Sequence, residues 1–228
     1  MTTSLIVGGS NGIGRRIAER MVERGDQVVI TSRGEDRARE IAAEMGHGAL
    51  GLGLDLSRPE TIATALADVP DVDNLVITAI AQYPNTLRDF NVAEAVTSVT
   101  VKLVGYTETI HVLQDRLTPD ASVVIFGGVA KYRPYPGSTM VTTFNAGISG
   151  LLKTLVVELA PHRVNVVHPG VVGDSPRWRD IPEHPAIGRT PIGRLVTMDE
   201  VASAAEFLLA NTGVNGVELD VNGGTLVT

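Results

Sequence analysis

At 228 residues, with 43% hydrophobic and 20% charged side chains, the chain has the length and apolar content of one large α/β domain, and nothing in these values suggests disorder. A formal charge of -7 at pH 7, with no run of Lys or Arg, excludes nucleic acid as an expected partner. The absence of cysteine excludes disulfides, thiolate metal sites and a Cys nucleophile.

The first apolar run, at 4–7, predicts a strand that leads into Val7-Gly8-Gly9-Ser10-Asn11-Gly12-Ile13-Gly14-Arg15. Ile17, Ala18, Met21 and Val22 then mark one face of a helix over 12–24. Glycines between a strand and a helix permit a tight turn and close approach of backbone to phosphate, and the helix start offers unpaired N–H groups and a favourable dipole. The loop residues Gly8, Ser10, Asn11, Gly12, Ile13 and Gly14 are therefore read as a pyrophosphate cradle. A second strand at 27–31 ends in Thr31-Ser32-Arg33, where an acid would select the ribose 2′-hydroxyl of NAD. Ser32 and Arg33 stand there instead, and a guanidinium can fork two hydrogen bonds to a 2′-phosphate, so NADP(H) is the predicted cofactor.

A helix at 36–44 and a strand at 49–54 follow, with Asp55 and Leu56 at the strand's end, and then a helix at 59–67 and a strand at 74–78 ending at Thr78 and Ala79. A long helix over 93–117 carries Lys102, a strand at 122–126 precedes Gly128, and a loop holding Tyr132 and Tyr135 leads to a helix over 138–159 with Val141 and Asn145. The sixth strand, 163–167, is followed by His168, Pro169 and Gly170. Residues 171–191 hold Pro176, Pro182, Pro185 and Pro191, which break helical continuation and predict an irregular, substrate-covering excursion that includes Val172, Asp174, Ser175 and Trp178. A helix at 199–210 and a strand at 217–221 complete the pattern. Strands apolar on both faces and joined by helical crossovers require a parallel sheet, so the predicted fold is doubly wound α/β in a single domain over 1–228.

The loop Gly8-x-x-x-Gly12-x-Gly14, Asp55 after the third strand, Arg163-Val164-Asn165-Val166-Val167-His168-Pro169-Gly170 and the terminal Asp220-Val221-Asn222-Gly223-Gly224 together resemble the short-chain dehydrogenase/reductase family over nearly the whole chain. The resemblance implies a Rossmann-type, seven-stranded sheet of order 3-2-1-4-5-6-7. It also implies Asp55 and Leu56 beside the adenine, Thr78 and Ala79 along the cofactor, and Pro169, Gly170, Val172 and Ser175 beside the nicotinamide carboxamide. A homodimer or homotetramer built on the helices at 93–117 and 138–159 is expected on the same ground. The family's catalytic identities are not in place. Its Tyr-x-x-x-Lys pair falls on Val141 and Asn145, its Ser thirteen residues before the Tyr falls on Gly128, and its upstream Asn falls on Lys102. Relative to the family, Lys and Asn are exchanged between two helices.

The exchange keeps one ammonium and one amide in the same pocket, and Lys102 and Asn145 are the predicted catalytic and cofactor-contacting pair. Tyr135 is the candidate proton donor, with Tyr132 and His168 also considered. The substrate is expected above the nicotinamide, between Gly128, Val141, Asn145, Lys102 and the excursion. No pair of His residues is spaced as metal ligands, and no Ser stands in a nucleophile elbow. The expected activity is hydride transfer between NADP(H) and a small carbonyl or alcohol, imine or activated alkene. The alternative is an NADP(H)-binding protein without redox turnover, acting as a sensor, an inert subunit or a non-redox catalyst. The strand at the start, without a basic flank and apolar leader, and the reading that no apolar run spans a bilayer give a cytoplasmic protein with no membrane partner as the expectation.

Overall fold

Side chains along the central strands alternate between two apolar layers, which is the burial pattern of a sheet covered on both faces. Leu5, Val7, Leu75, Ile77, Val123 and Ile125 belong to one buried cluster, while Ile6, Val28, Ile30, Val76, Val124 and Phe126 belong to the other. The computed structural model describes residues 2–81, 83 and 86–227. In it the strands are β1 (Thr3–Val7), β2 (Gln27–Ser32), β3 (Leu50–Gly53), β4 (Val72–Ile77), β5 (Leu117–Phe126), β6 (Arg163–Pro169) and β7 (Glu218–Val221). They form one sheet in the order 3-2-1-4-5-6-7, and every neighbouring pair is parallel. This is the expected doubly wound fold.

The crossovers are α1 (Gly12–Arg24), α2 (Glu35–Met45), a short α3 (Ile62–Ala65), α4 (Val92–Val99), α5 (Gly105–Leu113), α6 (Thr139–Glu158) and α7 (Met198–Ala210). Helices α1, α2 and α7 cover one face of the sheet, and α3, α5 and α6 the other. On the first face Ile17, Ala18, Met21 and Val22 of α1 share a core with Val201, Ala202 and Ala205 of α7. Above that seam, Arg16 and Arg20 pair with Asp199 at 2.8 and 2.9 Å, and Arg20 pairs with Glu206 at 2.6 Å. At the start of α7, Thr197 and Glu200 form a reciprocal capping box.

Two predicted helices differ from the observed ones. The run predicted over 93–117 is broken by a π turn, Thr100–Val104, in which the Gly105 N–H reaches back five residues to Thr100 O. It stops at Leu113, because Arg116 turns away to donate to Leu66 O at 2.8 Å and Val69 O at 2.9 Å, and Leu117 already belongs to β5. Those carbonyls lie just past α3, where a helix end leaves acceptors unpaired. The helix predicted over 59–67 is a 3-10 turn, Pro59–Thr61, followed only by α3. Strand β5 also begins five residues earlier than its apolar run. Its first residues are stitched to β1 and β4 by Asp73, which accepts from Thr3 N and Thr118 Oγ1, both at 2.7 Å.

Helix α6 is long and apolar enough, by length and composition, to cross a membrane, which corrects the reading that no segment qualifies. Its Phe144, Ile148, Leu152 and Leu155 are buried within this domain. The Arg163–Gly170 motif also proves structural at its start. The Arg163 guanidinium donates to Leu208 O, Leu209 O, Asn211 O and Val214 O, closing the end of α7. Asn165 is fully buried and pins the following turn through Val214 O and Val217 N.

Candidate nucleotide and active site

The turn between β1 and α1 is built around missing side chains. A Cβ on Gly14 would stand 2.3 Å from Gly8 O and 2.5 Å from Thr78 Oγ1, and one on Gly8 would meet Ala79 N at 2.9 Å. Gly8 also has φ +86°, in the left-handed region that favours glycine. The Thr78 hydroxyl donates to Val7 O at 3.1 Å and Gly8 O at 3.3 Å, so β4 holds the loop from below. Asn11 caps α1 with its side-chain oxygen on Gly12 N. A Cβ on Gly12 would meet only Pro176 of the excursion, at 3.7 Å, so the helix start opens toward that segment. Ser10 is half-buried beside it, and Ile13 packs inward against the α1 core. The sequence reading brought Gly8, Ser10, Asn11, Gly12, Ile13, Gly14, Thr78 and Ala79 to one place, and the structure assembles them there.

At the end of β2, Thr31 is buried with its hydroxyl accepting from Gly8 N at 3.3 Å, and Ser32 is half-buried. Arg33 is exposed and has no ion-pair partner among the described residues, whereas Arg37 and Arg39 on α2 pair with Glu40 and Glu35. Asp55 closes a turn through Ser57 N and Ser57 Oγ on one oxygen. Leu56 is buried beneath Gly105, where any Cβ would come within 2.7 Å of it.

Two of the predicted catalytic residues, Lys102 and Asn145, gather at the carboxyl ends of β4 and β5, but they are closed in rather than lining an open pocket, whereas Tyr135 is half-exposed. Lys102 is 1% exposed, Asn145 3% and Val141 5%. The Lys102 side chain is thus turned inward rather than toward solvent. Its Nζ donates to Tyr106 Oη at 2.9 Å, and that phenol donates to Ala79 O at 2.9 Å. Burial without a counter-ion lowers the Lys102 pKa to about 7 and pushes the Tyr106 pKa well up. Sequence reasoning missed Tyr106, although its spacing of four residues from Lys102 was a usable signal.

Just past the end of β5, the Asn145 amide of α6 lies 3.0 Å from where a Gly128 Cβ would be, and its Oδ1 is buried without a donor among the described residues. Val141 packs with Ala130 and Phe144 in a small apolar cluster. Gly128 N donates to His168 Nδ1 at 2.9 Å, which puts the ring proton on Nε2, facing Glu218 Oε2 at 2.8 Å. Glu218 Oε2 also accepts from Ser149 Oγ at 2.7 Å and pairs with Lys131. Burial, then the charges of Lys131 and Lys102, lower the His168 pKa to about 3. His168 is thus a neutral strut between three strand ends, and it leaves the group of acid candidates. Gly127 makes room for it: a Cβ there would stand 2.3 Å from the imidazole.

Above this floor, Tyr132 stands edge-on to His168 with ring centroids 6.5 Å apart and Lys131 over its face, while Tyr135 is half-exposed further along the loop. An open depression beside them is lined by Tyr132, Arg133, Asp220 and Leu226. The expected covering excursion begins after Pro169 and Gly170, whose N–H donates to Val221 O. It is tied at Val172, which bridges to Val196, and at Ser175, whose hydroxyl donates to Val172 O. Asp174 accepts from Met198 N and so caps α7. The far arm rests on Gly223 and Gly224, where a Cβ would strike Thr190 at 2.5 Å and Pro191 at 3.0 Å.

Over residues 7–225 the sequence matches the family model described as enoyl-(acyl carrier protein) reductase. A solved structure described as a short chain dehydrogenase/reductase family protein superposes with a TM-score of 0.91 at 28% identity, covering 100% of this chain and 98% of its own. The chain belongs to the short-chain dehydrogenase/reductase family. Among relatives of this short-chain dehydrogenase/reductase, the 3-oxoacyl-[acyl-carrier-protein] reductase of Bos taurus is 29% identical, covering 98% of this chain and 97% of the relative. The 3-oxoacyl-[acyl-carrier-protein] reductase FabG of Vibrio harveyi is 31% identical, covering 97% and 96%.

Proposed function

We propose that this short-chain dehydrogenase/reductase is an NADP(H)-dependent oxidoreductase acting on a small carbonyl or alcohol, imine or activated alkene, with an atypical active site. The observation that carries the cofactor reading is the pairing of a glycine cradle, which a single Cβ would fill, with an exposed Arg33 at the end of β2 that has no ion-pair partner among the described residues. When bound, NADP(H) donates or accepts the hydride. The chain's own part is to hold the pyrophosphate on the loop and α1, the 2′-phosphate on Arg33 and Ser32, and the ribose over Ala79, Asn145 and Lys102.

The relatives' names support a carbonyl substrate, since two of them are 3-oxoacyl-[acyl-carrier-protein] reductases. Val141 cannot transfer a proton and Gly128 N is committed to His168, so acid chemistry falls to Lys102 or a loop phenol, Tyr135 or Tyr132. Val96, Val104 and Val157 stand exposed on α4, the π turn and α6, and a groove lined by Leu103, Val104, Gly147 and Leu151, with Thr107 and Glu108 on its rim, runs between the helices. These surfaces support a homodimer or homotetramer formed through those helices.

The test follows NADPH absorbance against a panel of aldehydes, ketones, imines and enones for the wild type, Lys102→Ala and Arg33→Ala. Substrate-dependent oxidation that collapses in Lys102→Ala, with an NADPH affinity that drops in Arg33→Ala while NADH affinity holds, is the expected result. Equal losses for both cofactors in Arg33→Ala would remove the NADP(H) preference. Saturable NADPH binding with no consumption across the panel would leave a nucleotide-binding protein without redox turnover.

A further inference from the structure

Lys102 is enclosed as few lysines are. Its side chain is buried, its one hydrogen-bond partner among the described residues is the Tyr106 phenol, and no carboxylate pairs with it. Among the described residues, the groups that face Lys102 bring no negative charge to it. On its own helical run stands the Tyr106 phenol, and on α6 the neutral amide of Asn145. At the end of β6 stands the neutral ring of His168, behind which Glu218 is already consumed by Lys131, Ser149 and the imidazole. The charge of Lys102 is nevertheless felt at His168, whose own protonation it opposes.

The position of this cation matters as much as its isolation. Tyr106 links it to Ala79 O, and Ala79 is the residue against which Gly8 of the phosphate loop is packed. Lys102 therefore lies two contacts below the crevice between β1 and β4, where the strand order reverses and where open α/β sheets take their ligands. Two positive charges in such an enclosed site repel far more strongly than in water.

We propose that Lys102 lets the floor of this crevice hold one positive charge and no more: the chain binds NADPH, with its neutral ring, over the Lys102 ammonium, and NADP+, with its cationic ring, over the Lys102 amine. This rests on the reading of the crevice as an NADP(H) site and adds to it a coupling between the redox state of the dinucleotide and one buried proton. The lowered pKa of Lys102, about 7, means that either form of the side chain is accessible near neutrality.

The experiment measures dissociation constants for NADP+ and NADPH from pH 5.5 to 9, with calorimetry in buffers of different ionisation heat to count protons. Titration of the 2′-phosphate and any contact with Arg33 affect both forms alike and cancel in the ratio. In the wild type, the ratio Kd(NADP+)/Kd(NADPH) rises as pH falls below neutrality, with a limiting slope of about tenfold per pH unit, and NADP+ binding releases a proton. In Lys102→Met the ratio is flat. Tyr106→Phe removes the ammonium's hydrogen-bond acceptor and moves the break to lower pH without flattening the curve. A flat ratio and no proton release in the wild type, or an unchanged slope in Lys102→Met, overturns the proposal while leaving the cofactor site standing. A lack of saturable binding of either form overturns the cofactor reading and the proposal with it.

Discussion

Lys102 Nζ donates to Tyr106 Oη at 2.9 Å across a single helical turn, and the pair is sealed from solvent. An ammonium held this way weakens the folded state. Its folded pKa of about 7 lies below its ordinary value of 10.5, so between these limits the unfolded chain binds more protons and stability rises with pH. Replacing Lys102 by Met, which keeps the length and removes the charge, is expected to stabilise the fold by about 1–4 kcal/mol at pH 6.5, with the gain shrinking toward pH 10. Denaturant unfolding at pH 6.5 and 9.5 checks this, and an equal or negative difference at both would contradict it.

Gly127 is expected to tolerate no side chain. The Cβ of Gly127→Ala would lie 2.3 Å from the His168 ring, and both neighbours are fixed by strand pairing and by the Gly128 N–His168 bond. The expected loss is about 1–3 kcal/mol, read as a lower midpoint in denaturant unfolding with an unchanged slope.

Gly14→Ala acts on the loop rather than the core. Its Cβ would push Gly8 O and the Thr78 hydroxyl apart and so splay the cradle. NADPH affinity, followed by fluorescence titration, is expected to fall about tenfold or more, equivalent to about 1.4 kcal/mol. NADH should lose as much, because the change lies far from Arg33. A selective loss of NADPH would place the fault elsewhere.

Arg163→Met removes a guanidinium that closes four backbone carbonyls at the end of α7. Hydrogen bonds from a charged donor contribute about 1.5–3 kcal/mol each when lost singly, though four sharing one group do not add. A net loss of about 2–4 kcal/mol is expected. Hydrogen exchange should localise the extra opening to residues 208–217.

Periodicity made the strands and their parallel pairing legible, because short apolar runs joined by helical crossovers admit few other arrangements, while the strand order was implied by the family resemblance. The glycine loop was legible for the same kind of reason: Gly8, Gly12 and Gly14 answer to backbone geometry, which depends on near neighbours. What periodicity could not show is where a long side chain goes. Lys102 reads as the polar position of an amphipathic helix, and only the π turn Thr100–Val104 and the Tyr106 phenol make its inward course possible. Arg116 and Asp73 misled in the opposite sense. Each ends or extends an element through contacts with residues more than forty positions away, which no local window contains. His168 was visible as a residue at a strand end, but its commitment to Gly128 N and Glu218 is a fact of tertiary structure.

The salt-bridged seam between α1 and α7 bears on the order in which the molecule can be completed. Helix α1 follows directly on the phosphate loop, yet Arg16 and Arg20 find Asp199 and Glu206 only once about 180 further residues are available. The same is true of its apolar face, which shares a core with Val201, Ala202 and Ala205. A chain paused on the ribosome before α7 would carry a finished glycine loop on a helix whose apolar face and cations are still without their partners from α7.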